Sequence, residues 1–265
     1  MKLIYRIGEV VPYINWDYFH HAWGLTGKPE AEKRQLKAEA QALLQDMEGH
    51  YHTYAIFDIM EANSDGDDII VGGTRIPMLR QQTPRKKGAP CLCLADFVRP
   101  LSSGVKDRVG VFATTVDASM EREYKGHDGY RQMMAQTLAD RLAEATAERM
   151  HEEVRKEYWG YAHDENLTIR ELHVEAFQGI RPAVGYPSLP DTSINFVLSD
   201  LIGMKQIGIT LTETGMMQPH ASVSGLMMAH PEARYFELGK IGEDQLRDYA
   251  RRRGLPIELI RRFII

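Results

Sequence analysis

The sequence predicts an α+β fold, with a mostly antiparallel sheet flanked by helices. Three observations carry this reading. The β-prone segments fall in local clusters joined by turn residues, as hairpins do. One long proline-free stretch, Met120 to Trp159, changes to a helical period and divides those clusters. Hairpin-like neighbouring strands argue for antiparallel pairing, with helices between the clusters.

The elements follow in order. Trp16, Phe19 and Trp23 lie at i, i+3 and i+7, a helical spacing. Lys28 to Met47 is charged and alanine-rich, hence helical, with an interruption near Pro29. Tyr51 to Met60 is β-prone, "NSDGDD" is a turn cluster, and Ile69 to Val71 begins the return strand. "CLCLADFV" and "DRVGVFATTV" read as two further strands. The longest helix is expected from about His127 to Tyr158. Its Ala135, Ala139, Ala143 and Ala147 recur every four residues and allow a close neighbour. Thr168 and Glu171 have the spacing of a capping box for a short helix. "DTSINFVLSDLIG" is expected to be helical, with Asp191 or Thr192 as cap. "GITLTETGMM", "SVSGLMMAHP" and "ARYFELGKI" read as strands, the last two joined by a turn at His230 to Ala233. "GEDQLRDYARRRG" is a helix stopped by Gly254, and a final helix begins at Pro256.

Composition narrows the function classes. The chain has 265 residues, 43% hydrophobic and 26% charged, enough for a substantial core. A net charge of −5 does not indicate a broad phosphate-binding surface, so no nucleic-acid partner is expected. The basic tract Arg80 to Lys87 reads as a solvated loop. Cys91 and Cys93 would lie on one face of their strand, as plain buried thiols of a reducing compartment. No apolar run is long enough to span a membrane, and the N-terminus has no signal-peptide pattern. A cytoplasmic protein without a membrane partner is the expectation.

P-loop, dinucleotide-fingerprint, H-E-x-x-H and iron–sulfur cysteine patterns are all missing, so no metal site is expected. The ten histidines are scattered. What remains is "GIRPAVGYPSLPD", Gly179 to Asp191. Pro182 and Pro187 fix the backbone around Arg181 and Tyr186, and Gly185 can take positive φ or admit a ligand. A displayed guanidinium suits a small carboxylate or phosphate; a stiff structural turn is the alternative.

This stretch also carries a resemblance. "VRKEYWGYAHDENLTIRELHVEAFQGIRPAVGYPSLPD" resembles the activation domain of cobalamin-dependent methionine synthase, with its R-P-A-x-G-Y-P-x-x-P signature. "LRQQT", "CLADFV", "LADRLAEATAE", "LTET", "ASVSG", "HPEARYF" and "QLRDYARRRG" follow that family's order. The resemblance runs from about Pro12 to Arg252, and the whole chain, 1–265, is read as one such domain. The cobalamin module's D-x-H-x-x-G motif is absent, and no other module of that enzyme is expected before Met1.

The resemblance implies a single C-shaped domain around a twisted sheet, with a non-Rossmann S-adenosylmethionine site. It implies a methyltransferase component that docks on a cobalamin module carrying inactive cob(II)alamin. With an electron from flavodoxin or a similar donor, methylcobalamin is restored and methionine synthase reactivated. By the same resemblance, Arg181 meets the methionine carboxylate, and Ala183 and Gly185 offer backbone to the ligand. Tyr186 faces the corrin, Glu144 meets a cationic group of the ligand, and Tyr235 completes the set. No residue is expected to act as a catalytic acid or base; the protein positions donor and acceptor. One position departs: the family's "YIDW" is "YINW" here, which places Asn15 where an aspartate is expected. If that group meets an amine, affinity falls roughly ten- to thirtyfold. The alternative reading is a non-catalytic module for another small ligand or corrinoid protein.

Overall fold

The computed structural model describes residues 1–84 and 86–264. In chain order the elements are β1 (Lys2–Arg6), α1 (Ile7–Val10), α2 (Trp16–Ala22), α3 (Glu30–Met47), β2 (His52–Asp65), β3 (Asp68–Val71) and β4 (Thr74–Pro77). There follow β5 (Asp107–Val116), α4 (Ala118–Tyr124), α5 (Gly129–Glu153), α6 (Ile169–His173) and α7 (Ile194–Ile202). The chain ends with β6 (Thr210–Leu211), β7 (Met217–Gln218), β8 (Ser222–Met227), α8 (Glu243–Arg253) and α9 (Ile257–Phe263).

A curled six-stranded sheet runs β4-β3-β2-β5-β8, with β1 beside the first half of β2. Every pairing in it is antiparallel. The central strand β5 shows why both faces must be covered. Val109, Val111 and Ala113 enter one core, with Leu198 of α7, Leu246 of α8 and Ile260 of α9. Phe112 and Val116 enter the other, with Leu43 of α3 and Leu138 of α5. A strand buried on both faces loses polar alternation and becomes one apolar run.

The alanine row of α5 is buried along its length. It brings the helix so near the sheet that Thr114 Oγ1 of β5 donates to the Ala143 carbonyl at 2.9 Å. α5 ends in a π-turn over Val154–Tyr158, so the predicted long helix is present with its last turn widened. The capping box of α6 forms as read, with Thr168 and Glu171 each accepting the other's backbone N–H.

Several expectations require correction. "CLCLADFV" is not a strand, because Asp96 accepts the Cys93 N–H at 2.8 Å and folds Leu94–Phe97 into a 3₁₀ turn. Cys93 is buried, its thiol pushed up to about 12 by burial, while Cys91 is only half-buried. "GITLTETGMM" is a two-stranded hairpin, β6 with β7, turned at Gly215. "ARYFELGKI" forms no strand; its backbone bonds to other loops, as Leu238 does to the Pro187 carbonyl at 3.2 Å. The basic tract is not simply solvated: Arg80 donates to Asp67 and Asp96 at 2.7 Å, and Gln81 is buried. Arg85 of that tract lies outside the described residues. Among the described residues, no helix is long and apolar enough to cross a membrane.

Candidate functional site

The arginine loop is held as an extra strand. Ile180 exchanges two backbone hydrogen bonds with Met228, both 2.9 Å. Leu226 of β8 donates to the Pro182 carbonyl at 3.0 Å, and Val184 donates to the Ser224 carbonyl at 2.9 Å. The sheet edge thus sets the backbone on both sides of Arg181. Gly225 makes this approach possible, since a Cβ there would lie 2.1 Å from the Pro182 oxygen.

Between this loop, α5 and the N-terminus of α2 lies a cavity of about 590 Å³. Asn15, Glu144, Arg181, Ala183, Tyr186 and Tyr235 all line it. Residues as far apart as 15 and 235 are brought together by the fold. Gly185 is not on the wall. With φ +87° it turns the chain, and its N–H is spent on the Leu189 carbonyl at 2.8 Å.

Each candidate has a defined setting. Arg181 donates to Glu148 Oε2 at 3.0 Å and to His151 Nδ1 at 2.9 Å. Burial opposes its charge, but Glu148, Tyr235 and Glu144 together outweigh that, and its pKa is raised. The Tyr235 hydroxyl accepts the Arg181 backbone N–H at 2.8 Å, which ties the "HPEARYF" segment to the arginine loop. Glu144 receives both arms of Arg141, at 2.8 and 3.1 Å. The Tyr186 hydroxyl also donates to Glu144, at 3.3 Å, while its ring stays half exposed at the cavity mouth beside Pro187. Burial and the Glu144 charge push the Tyr186 hydroxyl up to about 12. Asn15 caps α2, its Oδ1 accepting the Asp17 N–H at 3.1 Å. An aspartate would cap equally well, so this exchange leaves the fold unaffected.

A buried polar chain behind Arg181 was not foreseen from the sequence. Arg155 is fully buried and forks onto Glu165 at 2.6 and 2.9 Å, with its guanidinium 4.1 Å from the Phe177 ring centre. Its third arm reaches His151 Nδ1 at 2.8 Å. His151 Nδ1 therefore accepts from two guanidiniums, which places the imidazole proton on Nε2. The one available signal was the i, i+4 spacing of His151 and Arg155, which does not reveal partners on other elements.

Burial, then Arg181 and Arg155, hold the His151 pKa well below its ordinary value. As pH falls, the unfolded chain therefore takes up this proton first. The stability due to neutral His151 is complete above about pH 6.5 and is lost below it, by about 1.4 kcal/mol per pH unit. In urea unfolding from pH 7.5 to 5, the stability advantage of the unsubstituted chain over His151→Gln is expected to shrink at that rate below pH 6.5. An advantage independent of pH would contradict this.

Among the described residues, no group of three or more His, Cys, Asp or Glu could hold a metal ion. The arrangement offers instead a guanidinium, carboxylates, aromatic faces and fixed backbone around a cavity that a drug-sized molecule would fill. Comparison with known proteins agrees with the fold. A solved structure, described as the crystal structure of the MetH reactivation domain bound to AdoHcy, is 36% identical, with a TM-score of 0.93. The match covers 99% of this chain and 88% of that one. The family model for the activation domain of vitamin B12 dependent methionine synthase matches residues 6–254. The antiparallel sheet, the R-P-A-x-G-Y-P loop along its edge and these matches agree, and the chain belongs to the family of vitamin B12 dependent methionine synthase activation domains.

Proposed function

We propose that the chain, 1–265 as one domain, binds S-adenosylmethionine in the cavity between α5 and the arginine loop. There it supports reductive methylation of the cobalamin held by a partner module, as the reactivating component of a methionine synthase. The observation that carries this reading is the convergence of Arg181, Glu144, Tyr186 and Tyr235 on one cavity of about 590 Å³. The AdoHcy in the related solved structure adds to it.

S-adenosylmethionine supplies a methyl group on a cationic sulfur, and the partner's cobalamin is the acceptor. This chain's own residues bind and orient. Arg181 takes the carboxylate of the ligand, with donors left over after Glu148 and His151 are served. Glu144 supplies negative charge toward the ligand's cationic groups. Ala183, in the strand-like part of the loop, offers backbone. Gly185 acts by turning the loop, and Asn15 closes the wall at the start of α2. Tyr186, exposed at the mouth, faces the corrin. The loop's prolines and its pairing with β8 fix these angles, so that catalysis comes from proximity rather than from an acid or base. The partner is the cobalamin module of methionine synthase, the electron donor is flavodoxin or a similar reductant, and the compartment is the cytoplasm.

The test mixes the chain with a cob(II)alamin-loaded partner module, a low-potential reductant and S-adenosylmethionine. The visible spectrum is expected to become that of methylcobalamin, and only when the chain is present. An unchanged spectrum with a cognate, competent partner would contradict the reading.

A further inference from the structure

We propose that Glu148 is the ammonium-binding residue of this site, and that Glu148 and Arg181 together read the zwitterionic end of an α-amino acid ligand. The inference rests on the S-adenosylmethionine reading and adds to it a residue and a specificity.

Glu148 lies on α5 one turn beyond Glu144 and lines the same cavity as Arg181. Its Oε2 accepts from Arg181 at 3.0 Å, and both side chains are 14% exposed. Its Oε1 is buried and has no hydrogen-bond partner. A buried carboxylate oxygen without a donor is rare in folded proteins, because its hydration is lost with no return.

Two other polar side chains of the wall are already committed. Glu144 receives Arg141 on both oxygens and Tyr186 on one. Asn15 Oδ1 serves the cap of α2. Glu175 is exposed, so it lacks the buried, fixed position of Glu148. Glu148 combines burial, an ion pair with Arg181 that fixes its position and an unspent acceptor.

Charge balance supports the same assignment. Arg181 and Glu148 form a neutral pair, and an α-amino acid end is also neutral overall. Placing the ligand's carboxylate on the guanidinium and its ammonium on the carboxylate alternates the signs of four charges. No net charge is buried, which is the condition for ionic groups to be tolerated inside a protein.

The test is calorimetric and uses the full chain. S-adenosylhomocysteine is compared with its desamino analogue, which keeps the carboxylate and replaces the ammonium by hydrogen. The unsubstituted chain is expected to bind S-adenosylhomocysteine at least tenfold more tightly than the analogue. Glu148→Gln is expected to weaken S-adenosylhomocysteine at least tenfold and the analogue less than twofold. Equal affinity of the unsubstituted chain for the two ligands would overturn the proposal, with no need for a variant. So would equal loss on both ligands in Glu148→Gln, which would make Glu148 a support for Arg181 only. Failure of the unsubstituted chain to bind S-adenosylhomocysteine at all would overturn the underlying reading, and this inference with it.

Discussion

Replacing Arg181 by alanine is expected to weaken S-adenosylmethionine binding at least about 100-fold. Hydrogen bonds to charged groups contribute about 1.5–3 kcal/mol each, and a guanidinium meets a carboxylate with two. Loss of about 3 kcal/mol is roughly a hundredfold in affinity. The substitution also leaves Glu148 buried without its cation, which costs about 3 kcal/mol of stability. Titration calorimetry measures the first effect, and urea unfolding the second. Affinity within threefold of the unsubstituted chain would remove Arg181 from the site.

Gly225→Ala is expected to act nearly as strongly from outside the cavity wall. Its new methyl would stand 2.1 Å from the Pro182 oxygen, 2.9 Å from Ala183 Cα and 3.0 Å from the Phe112 ring. Two of these are backbone, and the ring belongs to a fully buried side chain. The arginine loop must therefore move off the β8 edge. The strain and the lost ladder bonds together cost about 3 kcal/mol. Displacing Arg181 by about 1 Å is enough to reduce function roughly 100-fold. Unfolding and ligand titration of this one variant check both effects. Unchanged stability together with unchanged affinity would contradict the pairing of loop and sheet.

Periodic elements were the legible part of this fold. β5 and α5 lie close to where apolar run and alanine spacing place them, because packing against one neighbour imposes one period. The misread segments are those whose conformation is set by side chains distant in sequence. Cys91 to Val98 alternates like a strand, yet Asp96, clamped by Arg80, captures the Cys93 N–H and turns the chain. Ala233 to Ile241 also looks β-prone. It is pinned instead by the Tyr235 hydroxyl on the Arg181 N–H and by Gln81 on the Glu237 carbonyl, at 2.7 Å. No local pattern encodes such contacts.

The candidate site was legible in a similar way. Arg181 and Tyr186 stand out locally, since prolines beside both mark a backbone held in place. Glu144, Tyr235 and Asn15 have no local signal and were reached only through resemblance. Glu148 and His151 were missed because each looks like an ordinary helix residue until Arg181 arrives from another element. Gly225 shows no role within "ASVSG", since a close approach by a second segment leaves no mark in the sequence.

The most direct test of the central claim is a calorimetric titration of S-adenosylmethionine into the unsubstituted chain. The account predicts saturable binding at one site per chain, abolished or greatly weakened by Arg181→Ala. No detectable binding at millimolar ligand, by a chain shown to be folded, would contradict it.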